Sequence, residues 1–196
     1  SNVLIQSSVN SFGATVVAGN TAASNIEGFV YVSMNALYQT SLSFTSQNLG
    51  ARQFGRIDRI LVQCLLIVAA IGLVMGNGAH LLGTQLLSIY SDEAEVVAYG
   101  MERLGVVAAT YFLCGMMDVV AGSVRGLGYS VLPMLVSIAG ACVFRVIWIF
   151  TVFRCIHTQF ILYASYPISW VLTVSAHLVC FFLVRRRARQ RAAACA

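Results

Sequence analysis

Four stretches of the chain run nearly free of charge. Residues 60–76 ("ILVQCLLIVAAIGLVMG"), 131–153 ("VLPMLVSIAGACVFRVIWIFTVF") and 163–184 ("YASYPISWVLTVSAHLVCFFLV") are apolar almost all round. A fourth, 104–124 ("LGVVAATYFLCGMMDVVAGSV"), is apolar but for Asp118. A helix crossing a bilayer core needs about 20 mostly apolar residues, and each run reaches that length with its flanks.

The first fifty residues follow a different pattern. Residues 24–50 carry no charge after Glu27 but are rich in Ser, Thr, Asn and Gln, and residues 1–20 are uncharged and semi-polar. Such segments are either soluble loops or membrane helices that face protein or water. The charge-free distance from Gly28 to Ala51 is about that of a bilayer, which favours helices. Six helices are therefore expected, at about 1–20, 24–50, 57–79, 98–124, 130–153 and 163–186, with a basic tail over 185–196. The fold class is an all-α membrane bundle forming a single transmembrane domain, with no signal peptide, soluble linker or internal repeat. Ser1 opens directly into a helix without an initiator methionine or a flank, so the sequence is expected to be a piece of a longer protein.

Composition supports the membrane reading. Of 196 residues, 59% are hydrophobic and 10% charged, where a soluble domain carries about 25% charged residues. The excess of basic charge does not point to nucleic acid. All twelve basic residues are arginines, and five stand in "RRRARQR" at the C-terminus, as a membrane-surface flank would have them. Arg52, Arg56 and Arg59 follow the second helix, Arg125 the fourth and the arginine run the sixth, while the loop after the third is acidic (Asp92, Glu93, Glu95). Cytoplasmic loops collect arginine. The alternation places the C-terminus in the cytoplasm, with Arg154 the exception.

Enzyme signatures are absent: there is no GxSxG, no HExxH and no phosphate-binding glycine loop. His80, His157 and His177 are scattered and read as structural. Cys64, Cys114, Cys142, Cys155, Cys180 and Cys195 form no CxxC pair and read as small apolar filler.

The chemistry is concentrated at Asp118. Its helical face, at i±3, i±4 and i±7, holds Tyr111, Cys114, Gly115, Ala121, Gly122 and Arg125. A carboxylate inside a membrane is normally paired, protonated or functional. Pairing with Arg145 is one reading. At about 1.5 Å per residue, however, Asp118 lies roughly 10 Å and Arg145 roughly 25 Å from the cytoplasmic end, which favours a cation or proton site. Glu27 is expected near the outer surface, either among lipid headgroups or paired with Arg145. Tyr31, Asn35 and Tyr38 continue its face as a polar-aromatic stripe. Asn2, Gln6 and Asn10, spaced four apart, give the first helix a polar stripe that interhelical hydrogen bonding would explain.

Several stretches resemble one family, the multidrug and toxic compound extrusion (MATE) transporters. "MNALYQTSLSFTSQNLGARQFGRIDR" is similar to its eighth helix and the loop that follows. "MMDVVAGSVRGLGYSVLPM" is similar to its tenth helix and the start of the eleventh, and "FRVIWI" and "YPISWVL" to the eleventh and twelfth. The resemblance implies one six-helix lobe of a two-lobe antiporter: the C-terminal lobe, entered within the seventh helix. It implies secondary active export of drugs or other cationic and amphipathic compounds in exchange for Na⁺ or H⁺, with no other cofactor, in a bacterial inner membrane. It also implies partnership with an N-terminal lobe of the same transporter, in contact with lipid. In some members a tenth-helix aspartate, which Asp118 matches, binds the coupling cation together with a seventh-helix glutamate. Residues 1–20 contain no acid to supply the second ligand. Gln6, Asn10, Tyr31, Asn35 and Tyr38 would line the substrate path. The alternative is a fragment that transports nothing and serves only as an interaction module.

Overall fold

The computed structural model describes residues 2–194, with side chains from 5 to 192, so Cys195 and the Asn2 side chain lie outside the described part. Its elements are helical throughout: α1 (Asn2–Asn10), α2 (Ala14–Gly50), α3 (Phe54–Leu81), α4 (Gly83–Ser88), α5 (Ala94–Arg103), α6 (Phe112–Gly126), α7 (Val131–Ser137), α8 (Phe144–Trp148) and α9 (Gln159–Ala194). Three spans are long and apolar enough to cross a membrane: α3, residues 131–153 and α9. A fourth is the bent pair Ala94–Ala108 and Phe112–Gly126. The chain is an all-α membrane protein.

The central element is α2, which packs against α3, α5 and α6. Its 37 residues extend about 55 Å, although its polar composition keeps it out of the apolar class. Burial follows one stripe at helical spacing, through Ala23, Glu27, Val30, Met34, Ser41 and Thr45, while Phe29, Val32 and Phe44 face outward. The stripe of α3 is Ile57, Leu61, Cys64, Val68, Gly72 and Gly76. The α2–α6 contact is polar in the C-terminal halves of the two helices. There Ser41 Oγ donates to the Val119 carbonyl (3.0 Å) and lies 2.6 Å from Ser123 Oγ. These bonds satisfy buried hydroxyls that lipid could not.

Glycine sets the helix spacing in two places. A Cβ on Gly122 would stand 2.9 Å from the Tyr38 carbonyl, and one on Gly76 would stand 2.2 Å from that of Ala108. Gly76→Val therefore requires α3 to move off the fourth span, at a cost of about 1–3 kcal/mol. A lower melting temperature in detergent is expected, and an unchanged one would contradict the close contact.

The first helix differs from its expected bounds of 1–20. The break falls at residues 11–13, and α2 runs unbroken through residues 21–23, where a loop was expected. Gly13 adopts φ 103°, a conformation that strains other residues. By contrast, Thr21 Oγ1 bonds back to the Val17 carbonyl at 2.8 Å, and Ala22 and Ala23 are buried helix formers. The basic tail also differs. Residues 185–194 continue α9, and Arg185 pairs with Asp58 of α3.

Two spans contain π-helical turns: Leu104–Ala108 in the fourth, and Ile138–Val143 and Ile149–Phe153 on either side of α8 in the fifth. The fourth span bends by 42° just after its π turn. There Thr110 Oγ1 bonds the Val106 carbonyl at 2.7 Å, the kind of hydroxyl intrusion that bends helices.

Candidate functional site

α2 and α6 run in the same direction, with Met34 against Gly115 and Tyr38 against Gly122. This sets two polar rows side by side. Tyr31, Asn35 and Tyr38 follow one face of α2 at i, i+4, i+7. Asp118, Ala121 and Arg125 follow one face of α6 at i, i+3, i+7. With Ser137 of α7 they enclose a cavity of about 190 Å³. Tyr31 and Asp118 both line this cavity. Arg125 Nη1 donates to the Tyr38 hydroxyl at 2.5 Å.

A second cavity, of about 450 Å³, is also lined by Tyr31 and Asp118. Its wall also includes Glu27, Arg103, Tyr111, Cys114 and Arg145. Asp118 thus borders two cavities, partly buried, with no ion pair among the described residues. The expected alternative partner, Arg145, forms no ion pair with it.

The Glu27–Arg145 pair expected from depth is not formed, nor is Glu27 at an exposed surface. Glu27 is 3% exposed, and its partner is Arg103 at the end of α5. Arg103 Nε and Nη2 donate to the two Glu27 oxygens at 2.9 and 2.6 Å, and Nη1 donates to Asn20 Oδ1 at 2.7 Å. The Tyr163 hydroxyl also donates to Asn20 Oδ1, at 3.4 Å. The bend in the fourth span carries Arg103 against α2. Arg145 instead donates from Nε to Ser169 Oγ at 2.9 Å, with its guanidinium 4.2 Å from the Tyr166 ring centre.

Gln6 and Asn10 line neither cavity. Gln6 Nε2 donates to Asn10 Oδ1 at 3.3 Å, and Gln6 Oε1 accepts from Asn20 Nδ2 at 3.2 Å. They extend the Glu27–Arg103 network towards α1. Among the described residues, no group of three or more His, Cys, Asp or Glu side chains converges as a metal site. Cys64, Cys114, Cys142, Cys155 and Cys180 are free thiols. His177, buried in α9, has Nε2 at 3.1 Å from Ser137 Oγ.

Comparison with known proteins gives two findings. The family model MatE matches residues 1–151. The chain is also similar to the "Probable multidrug resistance protein YoeA" of Bacillus subtilis (strain 168), at 22% identity over 138 residues, 70% of this chain and 30% of that protein. The match spans less than a third of that relative's length.

Proposed function

The chain belongs to the MatE family, and we propose that it forms the C-terminal half of a cation-coupled exporter of drug-like amphipathic compounds. The family's members are transporters, and the chain is a multi-pass membrane protein. The observation that carries the proposal is Asp118. An apolar helix keeps one carboxylate, sets it on the walls of two cavities, and forms no ion pair to it among the described residues. A carboxylate so placed can take up a proton or a monovalent cation and release it when the surroundings change.

In this reading Tyr31, Asn35 and Tyr38 form one wall of the path, and an N-terminal lobe of the same transporter supplies the other. Gln6 and Asn10 support the wall through Asn20. Site and partner face each other near the midplane, as in other repeat-built transporters. The relative's name, a multidrug resistance protein, supports the substrate class. The test is efflux by the whole gene product in proteoliposomes, with Na⁺ and pH gradients imposed separately. Export driven by one of them is expected, and export indifferent to both would refute coupling.

We place the protein in a bacterial inner membrane with its C-terminus in the cytoplasm. Arg185, Arg186, Arg187, Arg189 and Arg191 stand on the last two turns of α9 or just before them, and translocating such a cluster is costly. A reporter fused after Ala196 should be active in the cytoplasm. Activity confined to the periplasm would reverse the topology.

A further inference from the structure

We propose that Arg145 is a binding site for the carboxylate of an amphipathic substrate, within the 450 Å³ cavity that Asp118 also lines. The substrate class is then compounds that carry a carboxylate beside an aromatic or cationic body. The proposal rests on the efflux reading for the direction of transport, but not for binding.

Two arginines border this cavity, and they are held differently. Arg103 spends all three of its guanidinium nitrogens on Glu27 and Asn20. Arg145 is equally buried, at 5% exposed. Yet it spends only Nε, on Ser169, and makes no ion pair among the described residues. Neither of its terminal nitrogens is sealed without a partner, and the residue lines the cavity. A cation withdrawn from water and left without an anion is costly, so the fold keeps here a charge that it does not itself neutralise.

The setting favours a carboxylate. Tyr166 lies 4.2 Å from the guanidinium carbon and Trp170 5.8 Å, both measured to the ring centres. Aromatic rings hold the group by cation–π attraction. The fork of terminal N–H groups remains for a planar anion, which arginine binds in bidentate fashion. The backbone is also unusual at this point. Arg145 stands on five α-helical residues between two π-helical stretches, and π turns inside helices are frequent at functional sites. Tyr111 and Trp170 offer the same cavity an aromatic surface, and Asp118 offers a site for a cationic group.

The test uses the whole gene product, purified in detergent, and two dyes with one fluorophore: rhodamine B, which carries a carboxylate, and its ethyl ester, which does not. Binding is read by fluorescence anisotropy. Wild type should bind rhodamine B about tenfold more tightly than the ester, the size of one charge-assisted hydrogen bond. Arg145→Gln, which keeps a donor for Ser169, should weaken the acid alone and erase the preference. Arg145→Lys should keep most of it. Equal binding of both dyes by wild type, or a preference that survives in Arg145→Gln, overturns the proposal and leaves the efflux reading intact. So does loss of both dyes together with a lowered melting temperature in Arg145→Gln, which would mark Arg145 as the partner of an internal acid. If wild type binds neither dye, the proposal and the drug-efflux reading fall together.

Discussion

Glu27→Gln should cost this protein more stability than any other single polar substitution in α2. Glu27 and Arg103 are 3% and 6% exposed, and their two charge-assisted hydrogen bonds are short, at 2.9 and 2.6 Å. Glutamine keeps the shape and one acceptor but removes the charge, so Arg103 remains buried beside a neutral amide. Breaking a buried pair from one side typically costs about 3–5 kcal/mol. For a chain of this size, that is a melting temperature lower by on the order of 10 °C. The loss should come from the stranded charge rather than from missing contacts. Glu27→Gln combined with Arg103→Met removes both charges and should therefore recover most of it, as replacement of whole buried pairs often does. Melting curves in detergent for the two single variants and the double variant decide the matter. A double variant as unstable as the sum of the singles would mean that the pair is not coupled.

That pair also shows where sequence reading stops. Glu27 was legible as a lone acid on a polar-aromatic stripe, but the depth argument named Arg145 as its candidate partner, and the structure pairs it with Arg103 instead. Arg103 sits just before the apolar run and so reads as a flank. It becomes buried through the bend after residues 104–108, and π-helical turns have no composition that distinguishes them from α-helix. The same blindness affects the fifth span, where the π turns on either side of Arg145 follow ordinary apolar residues. Helix existence was more accessible, because it rests on long uncharged runs. The division between the first two helices was not, because Ser, Thr and Asn suit loops and water-facing helices equally. The break at Gly13 depends on one backbone angle. The rows Tyr31–Asn35–Tyr38 and Asp118–Ala121–Arg125 were each readable from helical spacing, but that they face each other follows from how closely α6 approaches α2 at Gly122.

Asp118→Asn should abolish coupled efflux while leaving the melting temperature equal or higher. The amide is nearly isosteric, but it can neither carry a cation nor exchange a proton. Stability should not fall, because no arginine forms an ion pair with this carboxylate among the described residues. Arg125 is held by Tyr38, Arg145 by Ser169 and Tyr166, and Arg103 by Glu27. A lone carboxylate in a bilayer costs about 2.5–3.5 kcal/mol on insertion scales, and part of that should be returned when the charge is removed. The two substitutions therefore separate two kinds of buried acid on the same cavity. Glu27→Gln loses stability, whereas Asp118→Asn loses transport. The measurement is efflux rate in proteoliposomes beside melting temperature, for wild type and Asp118→Asn. A clear fall in melting temperature would make Asp118 the partner of an arginine after all. Undiminished efflux would remove it from coupling, because a site that works without its charge was not using that charge to move the ion.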